Sequence, residues 1–232
     1  MMNLGSNDFL SILKKSLSID VKDFAALKVA LRSRDPFQLL IMTILTQNTS
    51  DKNATKAFEN LSRKFPITPK SLASASIDDI AEAIKPAGMF RKRARVIKDV
   101  SRAILEKFGG DLRKVFEYPL GDARNLLINL PGIGRKTADV LLLFIAGMPT
   151  FPVDTHINRV SKRLGLASER ATYEDVRRSL MGFFEPSRYL DAHLLLIAFG
   201  RKYCKARNPL CASCPLKDVC RYYSKARQKP KL

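Results

Sequence analysis

The sequence predicts an all-α protein. Apolar residues recur at helical spacing throughout the 232-residue chain, and no segment shows the strict alternation that is typical of a half-buried strand. Residues that favour helix N-caps precede many of the apolar segments. The chain is 46% hydrophobic with ordinary contents of Gly and Pro, so we expect a globular protein of one large domain or two small ones.

Caps and prolines mark the predicted helices of the first half. Asp35 and Pro36 offer an N-cap and a proline at the first helical position of an apolar helix that continues to Leu45. Thr49 or Ser50 is expected to cap the next helix. The predicted helices are 7–17, 22–33, 37–45, 51–64, a short one between Ser76 and Pro86, and 91–107, with Pro66 and Pro69 in a connection.

The second half continues the helical pattern, to about ten helices in total. Asp154 and Thr172 are the expected N-caps of two of these helices, and Ser187 is expected to open the last one. The final thirty residues show little periodicity. The predicted helices are 119–129, one that begins at Arg135, 155–163, 173–184 and 187–202.

The charge of the chain indicates a polyanionic partner. Lys and Arg number 41 against 22 Asp and Glu, which gives a formal net charge of +19. The excess is concentrated in residues 201–232 and in a basic run at 91–98. We expect nucleic acid as the partner; a basic surface that serves only solubility is the alternative. No apolar run reaches the length of a membrane span and no signal-peptide pattern is present, so we expect an intracellular, cytoplasmic protein without a membrane partner.

The segment Leu130–Lys136, with the sequence LPGIGRK, is the strongest candidate for a ligand site. Gly132 and Gly134 can adopt positive φ and bring bare backbone close to a ligand. The N–H groups of such a turn, at the start of a helix, favour an anion, which we expect to be a DNA phosphate. Arg135 and Lys136 follow directly. Lys136 is either an ordinary exposed lysine or an amine whose pKa is lowered by the helix dipole and neighbouring cations.

The four cysteines indicate a metal centre. Cys204, Cys211, Cys214 and Cys220 are the only cysteines of the chain, and they are spaced C-x6-C-x2-C-x5-C. Four thiols in so short a segment of a protein without an export signal favour metal over disulfides. Zinc sites usually show two close pairs of cysteines, whereas one pair with longer arms suits an iron–sulfur cluster. Both metals remain open on spacing alone, with a structural role favoured over a redox one.

Together, LPGIGRKTA, the VDTHI sequence that begins at Val153 and the cysteine spacing resemble endonuclease III, the helix-hairpin-helix, iron–sulfur branch of the DNA glycosylases. The similarity extends from Phe37 to Tyr222. It implies a [4Fe–4S] cluster bound by the four cysteines, and two helical lobes with the active site in the cleft between them. One lobe is a six-helix barrel that contains the helix-hairpin-helix, residues 28–147. The other is a discontinuous domain, residues 1–27 and 148–232, with the cluster loop at 204–220.

The resemblance also implies roles for individual residues. Lys136 matches the family's lysine nucleophile and Asp154 its catalytic carboxylate. A helix cap alone is the alternative for Asp154, and the two roles are compatible, since capping fixes the orientation of the carboxylate. Gln47 matches a glutamine that enters the gap left by a flipped base, Met89 lies where the family places an apolar wedge, and His156 matches a histidine near the DNA. The sequence Asn48-Thr49-Ser50 and the methionine at 89 depart from the commoner family pattern, which leaves the preferred base open.

The activity implied is that of a bifunctional DNA glycosylase and AP lyase of base excision repair. It would act as a monomer on double-stranded DNA with a damaged base, expected to be an oxidised pyrimidine, or with an abasic site. The alternatives are a monofunctional glycosylase of the mismatch or adenine type and a non-catalytic helix-hairpin-helix module. Lys136 argues against both alternatives, since neither uses a lysine at this place.

Overall fold

The computed structural model describes residues 4–228, and in that range the chain is all-α, as predicted. The described residues form α-helices joined by turns and short 3₁₀ helices, without a β-strand. No helix in the described range is long and apolar enough to span a membrane. The α-helices, numbered α1 to α13 in chain order, are Ser6–Ser16, Ala25–Ser33, Pro36–Thr46, Asp51–Lys64, Pro69–Ser74, Ile77–Ala83, Phe90–Phe108, Leu120–Ile128, Arg135–Phe144, Thr155–Leu164, Tyr173–Phe183, Tyr189–Lys202 and Arg221–Gln228.

The chain divides into two compact units. The central unit is Asp20–Met148, and the terminal unit combines Met1–Ile19 with Pro149–Leu232. The sequence-based division drew the first boundary between residues 27 and 28, inside α2. Ala25, Val29 and Ala30 of α2 are buried in the core of the central unit, so the whole helix belongs there.

Helix α3 forms the middle of the central unit. Its near-continuous apolar sequence leaves residues 39–45 at most 2% exposed, and α2, α4, α7 and α9 pack around it. The helix begins where the sequence predicted, because the Asp35 carboxylate accepts hydrogen bonds from the N–H groups of Phe37 and Gln38. A buried helix surrounded by amphipathic ones fixes the positions of the exposed turns at its ends.

The terminal unit is built on α10 and α12, with α1 packed against α12. Aromatic side chains fill much of its core. Phe9 contacts Phe183 and Phe184 with ring centroids 5.8 Å away, and Phe151 stacks on Phe184 at 5.9 Å. These contacts join the N-terminal helix to the segment that leads into α10, so residues far apart in the sequence support that segment.

Four predicted boundaries or connections are wrong. The connection at Pro66 and Pro69 contains α5, since Thr68 caps the helix and Pro69 occupies its first turn. Predicted helix 22–33 is interrupted at Phe24, where a 3₁₀ helix with its own capping box at Asp20 ends. Helix α12 begins at Tyr189, because Ser187 lies in a 3₁₀ turn that starts with Pro186. The C-terminal segment, expected to be irregular, contains α13.

Candidate active site

The predicted turn between α8 and α9 is present and is anchored by its two apolar residues. Leu130 and Ile133 are 2% and 4% exposed, and the Ile133 N–H donates to the Leu130 carbonyl at 3.2 Å. Gly132 and Gly134 alternate with them and are exposed. The LPGIG sequence thus buries Leu130 and Ile133 and leaves the two glycines exposed, where a ligand can approach the backbone.

Gly132 and Gly134 differ in their backbone conformation and in the space that a side chain would have. Gly132 has φ +72°, and a Cβ there would lie 2.3 Å from Cγ1 of Val96 on α7. Gly134 has φ −91°, and nothing lies within 4 Å of an added Cβ. Gly132 therefore allows the turn to pack against α7, whereas Gly134 leaves open space in front of the start of α9. The expectation of positive φ holds for Gly132 only.

A buried ion pair holds α8 and α9 together. The Asp139 carboxylate is fully buried and accepts from Nε of Arg124 at 2.8 Å and from its NH2 at 3.1 Å. A two-point contact between a guanidinium and a carboxylate fixes the relative orientation of both groups. The start of α9 is therefore held rigidly with respect to the preceding helix.

Arg135 and Lys136 occupy the first turn of α9. The helix begins after Gly134 without a side-chain N-cap hydrogen bond. Arg135 is exposed and Lys136 half-buried, while Thr137 and Asp139 on the same helix are buried. The structure thus brings Gly132, Gly134 and these two cations into one turn at a helix N-terminus, a combination suited to bind an anion.

Gln47 and Met89 both lie at exposed helix ends in the central unit. Gln47 is the C-cap of α3 and Met89, 55% exposed, is the N-cap of α7. Each adjoins a backbone conformation that is unusual for a residue with a side chain: Asn48 has φ +52° and Met89 itself has φ +47°. Asn tolerates this conformation well, which accounts for Asn48. Ser50, as predicted, caps α4.

Asp154 belongs to the terminal unit and is the N-cap of α10, as predicted. Its Oδ1 accepts from the Ile157 N–H at 2.7 Å, and this is the one hydrogen bond its carboxylate makes among the described residues. The preceding segment is held from two sides. The Pro152 carbonyl lies 3.0 Å from Nδ1 of the buried His193, and the Val153 N–H donates to the Tyr173 hydroxyl. The orientation of Asp154 is therefore fixed while its carboxylate stays partly exposed.

His156 follows on the same helix and is half-buried against α12. A Cβ on Gly200 would lie 2.9 Å from the His156 Cβ, so a glycine is required for this close approach. Burial lowers the pKa of His156. The nearby charges of Arg159 and Arg201 lower it further, whereas the negative charge of Asp154 raises it. The imidazole is therefore neutral near pH 7 and available for hydrogen bonds rather than as a cation.

The four cysteines line one cavity, together with Leu164, Phe199 and Tyr222 among others. Burial raises the pKa of Cys211 and, with the neighbouring thiols adding to it, that of Cys214 to about 11. Thiols in such surroundings lose their protons when a metal cation such as iron binds to the sulfur atoms. Arg163 of α10 lies at the edge, with NH1 3.6 Å from the Cys204 sulfur. Four thiols that line one mostly apolar cavity fit an iron–sulfur cluster.

The two basic segments that the sequence singled out contain cations with partners inside the protein. In the run at 91–98, Arg93 is 5% exposed and Lys98 donates to the Ala75 carbonyl, so these two cations serve the fold. In the C-terminal segment, Lys225 pairs with Glu169 at 2.6 Å. Lys229 and Lys231, which belong to the same predicted basic tail, lie outside the described residues.

The contacts of Arg93, His193 and Arg163 are not indicated by the sequence. Each acts through a partner that is far away in the sequence: Arg93 binds the Gln47 carbonyl, His193 the Pro152 carbonyl and Arg163 the Lys205 carbonyl. His193 carried a weak signal, since the chain has only two histidines. The two arginines carried no such signal, because in a chain with 41 Lys and Arg a buried arginine cannot be distinguished from the exposed ones by sequence.

Comparison with known proteins gives two family matches. Residues 41–186 match the HhH-GPD superfamily base excision DNA repair protein, and residues 204–220 match the iron–sulfur binding domain of endonuclease III. The second match covers the cysteine segment and establishes a [4Fe–4S] cluster as the cofactor.

Relatives and solved structures agree with these matches. Endonuclease III of Sulfolobus acidocaldarius is 38% identical over 94% of this chain and 96% of its own length. A trapped endonuclease III–DNA covalent intermediate has a TM-score of 0.76 at 30% identity, over 97% of this chain and 100% of that one. A thermostable thymine-DNA glycosylase has a TM-score of 0.78 at 25% identity, over 94% and 95%. The chain therefore belongs to the endonuclease III family of DNA glycosylases of base excision repair.

Proposed function

We propose that this protein is a bifunctional DNA glycosylase and AP lyase that removes damaged bases, with oxidised pyrimidines as its main substrates. The observation that carries the proposal is the position of Lys136. It stands half-buried in a first helical turn that has no side-chain cap, directly after an exposed turn suited to phosphate. An amine there is held next to bound DNA and in reach of a sugar carbon as a nucleophile.

The roles of the remaining residues follow from the reaction. A stacked base is reached only when its nucleotide leaves the duplex, and we assign Gln47 and Met89 to the gap that remains. The exposed side chains of both residues at helix ends suit them to enter DNA. We assign Gly132, Gly134 and Arg135 to the DNA backbone, and His156, as a neutral hydrogen-bonding group, to the DNA near Asp154.

The chemistry requires one amine and one carboxylate. The Lys136 amine attacks C1′ of the deoxyribose, the glycosidic bond breaks, and the damaged base leaves with the bonding electrons and gains a proton. The Asp154 carboxylate uses one oxygen as a helix cap, so the other is available to accept the amine proton and to stabilise positive charge on the sugar. The C1′–O4′ bond of the sugar then breaks, O4′ takes up a proton and a Schiff base forms between Lys136 and C1′. This Schiff base acidifies the C2′ proton, and loss of that proton expels the 3′ phosphate by β-elimination.

Cys204, Cys211, Cys214 and Cys220 are the proposed cluster ligands. The cluster, when bound, supplies a rigid centre for residues 204–220 rather than reaction chemistry. We expect yellow-brown protein with about four irons per chain, the number in this cluster type. Replacing Cys214 by Ser should lower the iron content, whereas Ser213→Ala should not. One zinc and no iron in the purified protein would contradict this assignment.

The Schiff base provides the decisive test. Borohydride added during reaction with an abasic-site duplex should link the parent protein to DNA irreversibly. Lys136→Gln should fold, bind DNA and give no linked product. Lys107→Gln, which removes a lysine from the exposed last turn of α7, is the matched control and should link like the parent. Linkage of Lys136→Gln at the parental rate would assign the nucleophile to another amine.

Asp154 has a matched control as well. Asp35 is also an Asp N-cap, accepting from the Phe37 N–H at 2.8 Å. Asparagine keeps the capping oxygen at either position. We expect Asp154→Asn to release damaged bases roughly 10²–10³ times more slowly and Asp35→Asn to react like the parent. Equal rates of base release for the two variants would show that Asp154 is a helix cap only.

A second function is favoured by the similarity to the thermostable thymine-DNA glycosylase. A monofunctional enzyme of that kind would release a mismatched base by hydrolysis, with neither a linked product nor a nick. A panel of duplexes with oxidised pyrimidines, mismatched thymine or an abasic site, scored separately for base release and nicking, distinguishes the two functions. Analysis of the protein's size with and without duplex tests the accompanying proposal that it acts as a monomer.

A further inference from the structure

One buried guanidinium joins the two exposed loops that carry Gln47 and Met89. Arg93 of α7 is 5% exposed. Its NH1 donates to the carbonyls of Ala87 and Gly88, in the turn that leads to Met89, and its NH2 donates to the carbonyl of Gln47. A single rigid group therefore binds the backbone of both loops, although the loops lie about forty residues apart in the sequence.

The arrangement is costly, which argues for a purpose. In the described part of the chain, the hydrogen-bond partners of Arg93 are carbonyl oxygens rather than carboxylates, so a buried charge is satisfied by dipoles alone. Burial lowers the pKa of Arg93, yet a guanidinium remains protonated in proteins. A buried apolar side chain at this position would avoid the cost of desolvation but would bind neither loop.

The backbone of both loops needs such support. Asn48, next to Gln47, has φ +52°, and Met89 has φ +47° directly after Gly88 at φ +70°. A left-handed residue with a side chain costs on the order of 1 kcal/mol or more and persists when its surroundings fix it. The three carbonyls that Arg93 binds stand immediately next to these positions. Its fork of parallel donors fixes directions as well as distances, which a lysine does not.

We propose that Arg93 is a positioning residue that holds the Gln47 and Met89 loops as one rigid element, so that both side chains enter the gap of a flipped nucleotide together. The inference rests on the proposed function, in which these side chains fill that gap. Preorganised loops lose less conformational entropy when they enter DNA than loops that move independently. Loosening them is therefore expected to slow the step that depends on a correctly held nucleotide, and to do so through the two side chains.

The first test measures the loops without DNA. Hydrogen exchange of backbone amides is compared in the parent, Arg93→Met and Lys98→Met, each with its cluster. Lys98 is the matched control, because it lies on the same helix and donates to a carbonyl elsewhere, that of Ala75. Arg93→Met should accelerate exchange in both 47–50 and 86–90, and Lys98→Met in neither. Parental exchange in both loops of Arg93→Met would overturn the proposal.

The second test measures base release under single-turnover conditions. We expect Arg93→Met to be roughly 10–100 times slower than the parent on a lesion duplex. In a background in which Gln47 and Met89 are both alanine, the same substitution should change the rate by no more than about twofold, because Arg93 would act through side chains that are gone. A full-size effect in that background would show that Arg93 serves the fold generally and would overturn the proposal.

Arg93→Lys covers the case in which Arg93→Met does not fold. The lysine keeps the charge but reaches fewer carbonyls, so exchange should accelerate in one loop or both, with a smaller loss of rate. Parental exchange and rate in this variant, or failure of both variants to fold, would overturn the positioning role. If the parent itself releases no base, the proposed function fails, and the exchange experiment still decides whether Arg93 couples the loops.

Discussion

Alanine substitutions at the two glycines of the α8–α9 turn are expected to have opposite consequences. Gly132 combines φ +72° with a Cβ position 2.3 Å from Cγ1 of Val96, whereas Gly134 has φ −91° and open space before it. Gly132→Ala should therefore destabilise the protein and displace the turn. Gly134→Ala should leave the fold intact and place a methyl group on the surface that we assign to a DNA phosphate.

The size of each effect follows from these contacts. A left-handed conformation costs an L-residue roughly 1–2 kcal/mol, and an overpacked contact adds roughly 1–3 kcal/mol. The free energy of unfolding of Gly132→Ala should thus fall by roughly 2–5 kcal/mol, and its melting temperature by roughly 4–20 °C for a chain of this length. For Gly134→Ala, a weaker N-cap and a less flexible unfolded chain nearly cancel, within about 1 kcal/mol either way.

Thermal denaturation of the cluster-containing proteins, followed by circular dichroism, measures the first difference, and duplex binding at fixed salt measures the second. Val96→Ala in the Gly132→Ala background supplies a further check. It removes the atom at 2.3 Å and leaves the Val96 Cβ at 3.4 Å, so stability should recover in part while the cost of the backbone conformation remains. Gly132→Ala with the parental melting temperature, or a Val96→Ala effect that simply adds to it, would refute this reasoning.

Three further predictions concern charge. Asp139→Asn removes the buried carboxylate that pairs with the half-buried Arg124 guanidinium and should lower stability by up to about 3–5 kcal/mol, whereas Asp122→Asn on the exposed side of α8 should have little effect on the melting temperature. Burial lowers the pKa of His156 below the value of about 6.5 in the unfolded chain, so the unfolded state binds the proton more tightly and acid favours unfolding. The stability of the parent should therefore fall as pH drops below about 6.5, and melting curves should show a smaller fall in stability for His156→Gln. If Lys225 and Arg227 contact DNA, replacing both by Gln should reduce the slope of log K against log[salt] by up to about 0.9 each, and an unchanged slope would make them solvated surface.

Much of the fold could be predicted because helix ends carry local signals. Asp35, Ser50 and Thr172 cap the helices that the sequence assigned to them, since an oxygen one or two bonds from Cβ reaches the backbone N–H two or three residues on. The same rule was misapplied at Pro69. Two prolines three residues apart suggested a connection, whereas Thr68 and Pro69 are an N-cap and a first helical position.

Contacts between distant segments could not be predicted in this way. The basic run at 91–98 suggested a surface for DNA, but Arg93 turns inward to carbonyls that only the folded chain brings near. The reason for Gly132 was also hidden, because Val96 stands on another helix. In both cases the residue has a contact within the protein that its own segment of the sequence does not indicate.

The residues of the candidate site were predicted largely from the family resemblance, and most of them lie at helix ends. Gln47 is a C-cap, Met89, Gly134 and Asp154 are N-caps, and Lys136 stands in a first turn. Unsatisfied backbone groups make such positions suited to bind ligands, and the same groups require the Gly and Asp residues that mark them in a sequence. Function and capping therefore leave the same local signal.

Asp35 and Asp154 show this ambiguity. Both are capping aspartates with hydrogen bonds of 2.8 and 2.7 Å, and nothing in either turn alone distinguishes a structural cap from a catalytic one. The two residues differ in their proposed roles, because only Asp154 is assigned to the reaction. The comparison of Asp35→Asn with Asp154→Asn therefore separates catalysis from capping at two aspartate N-caps.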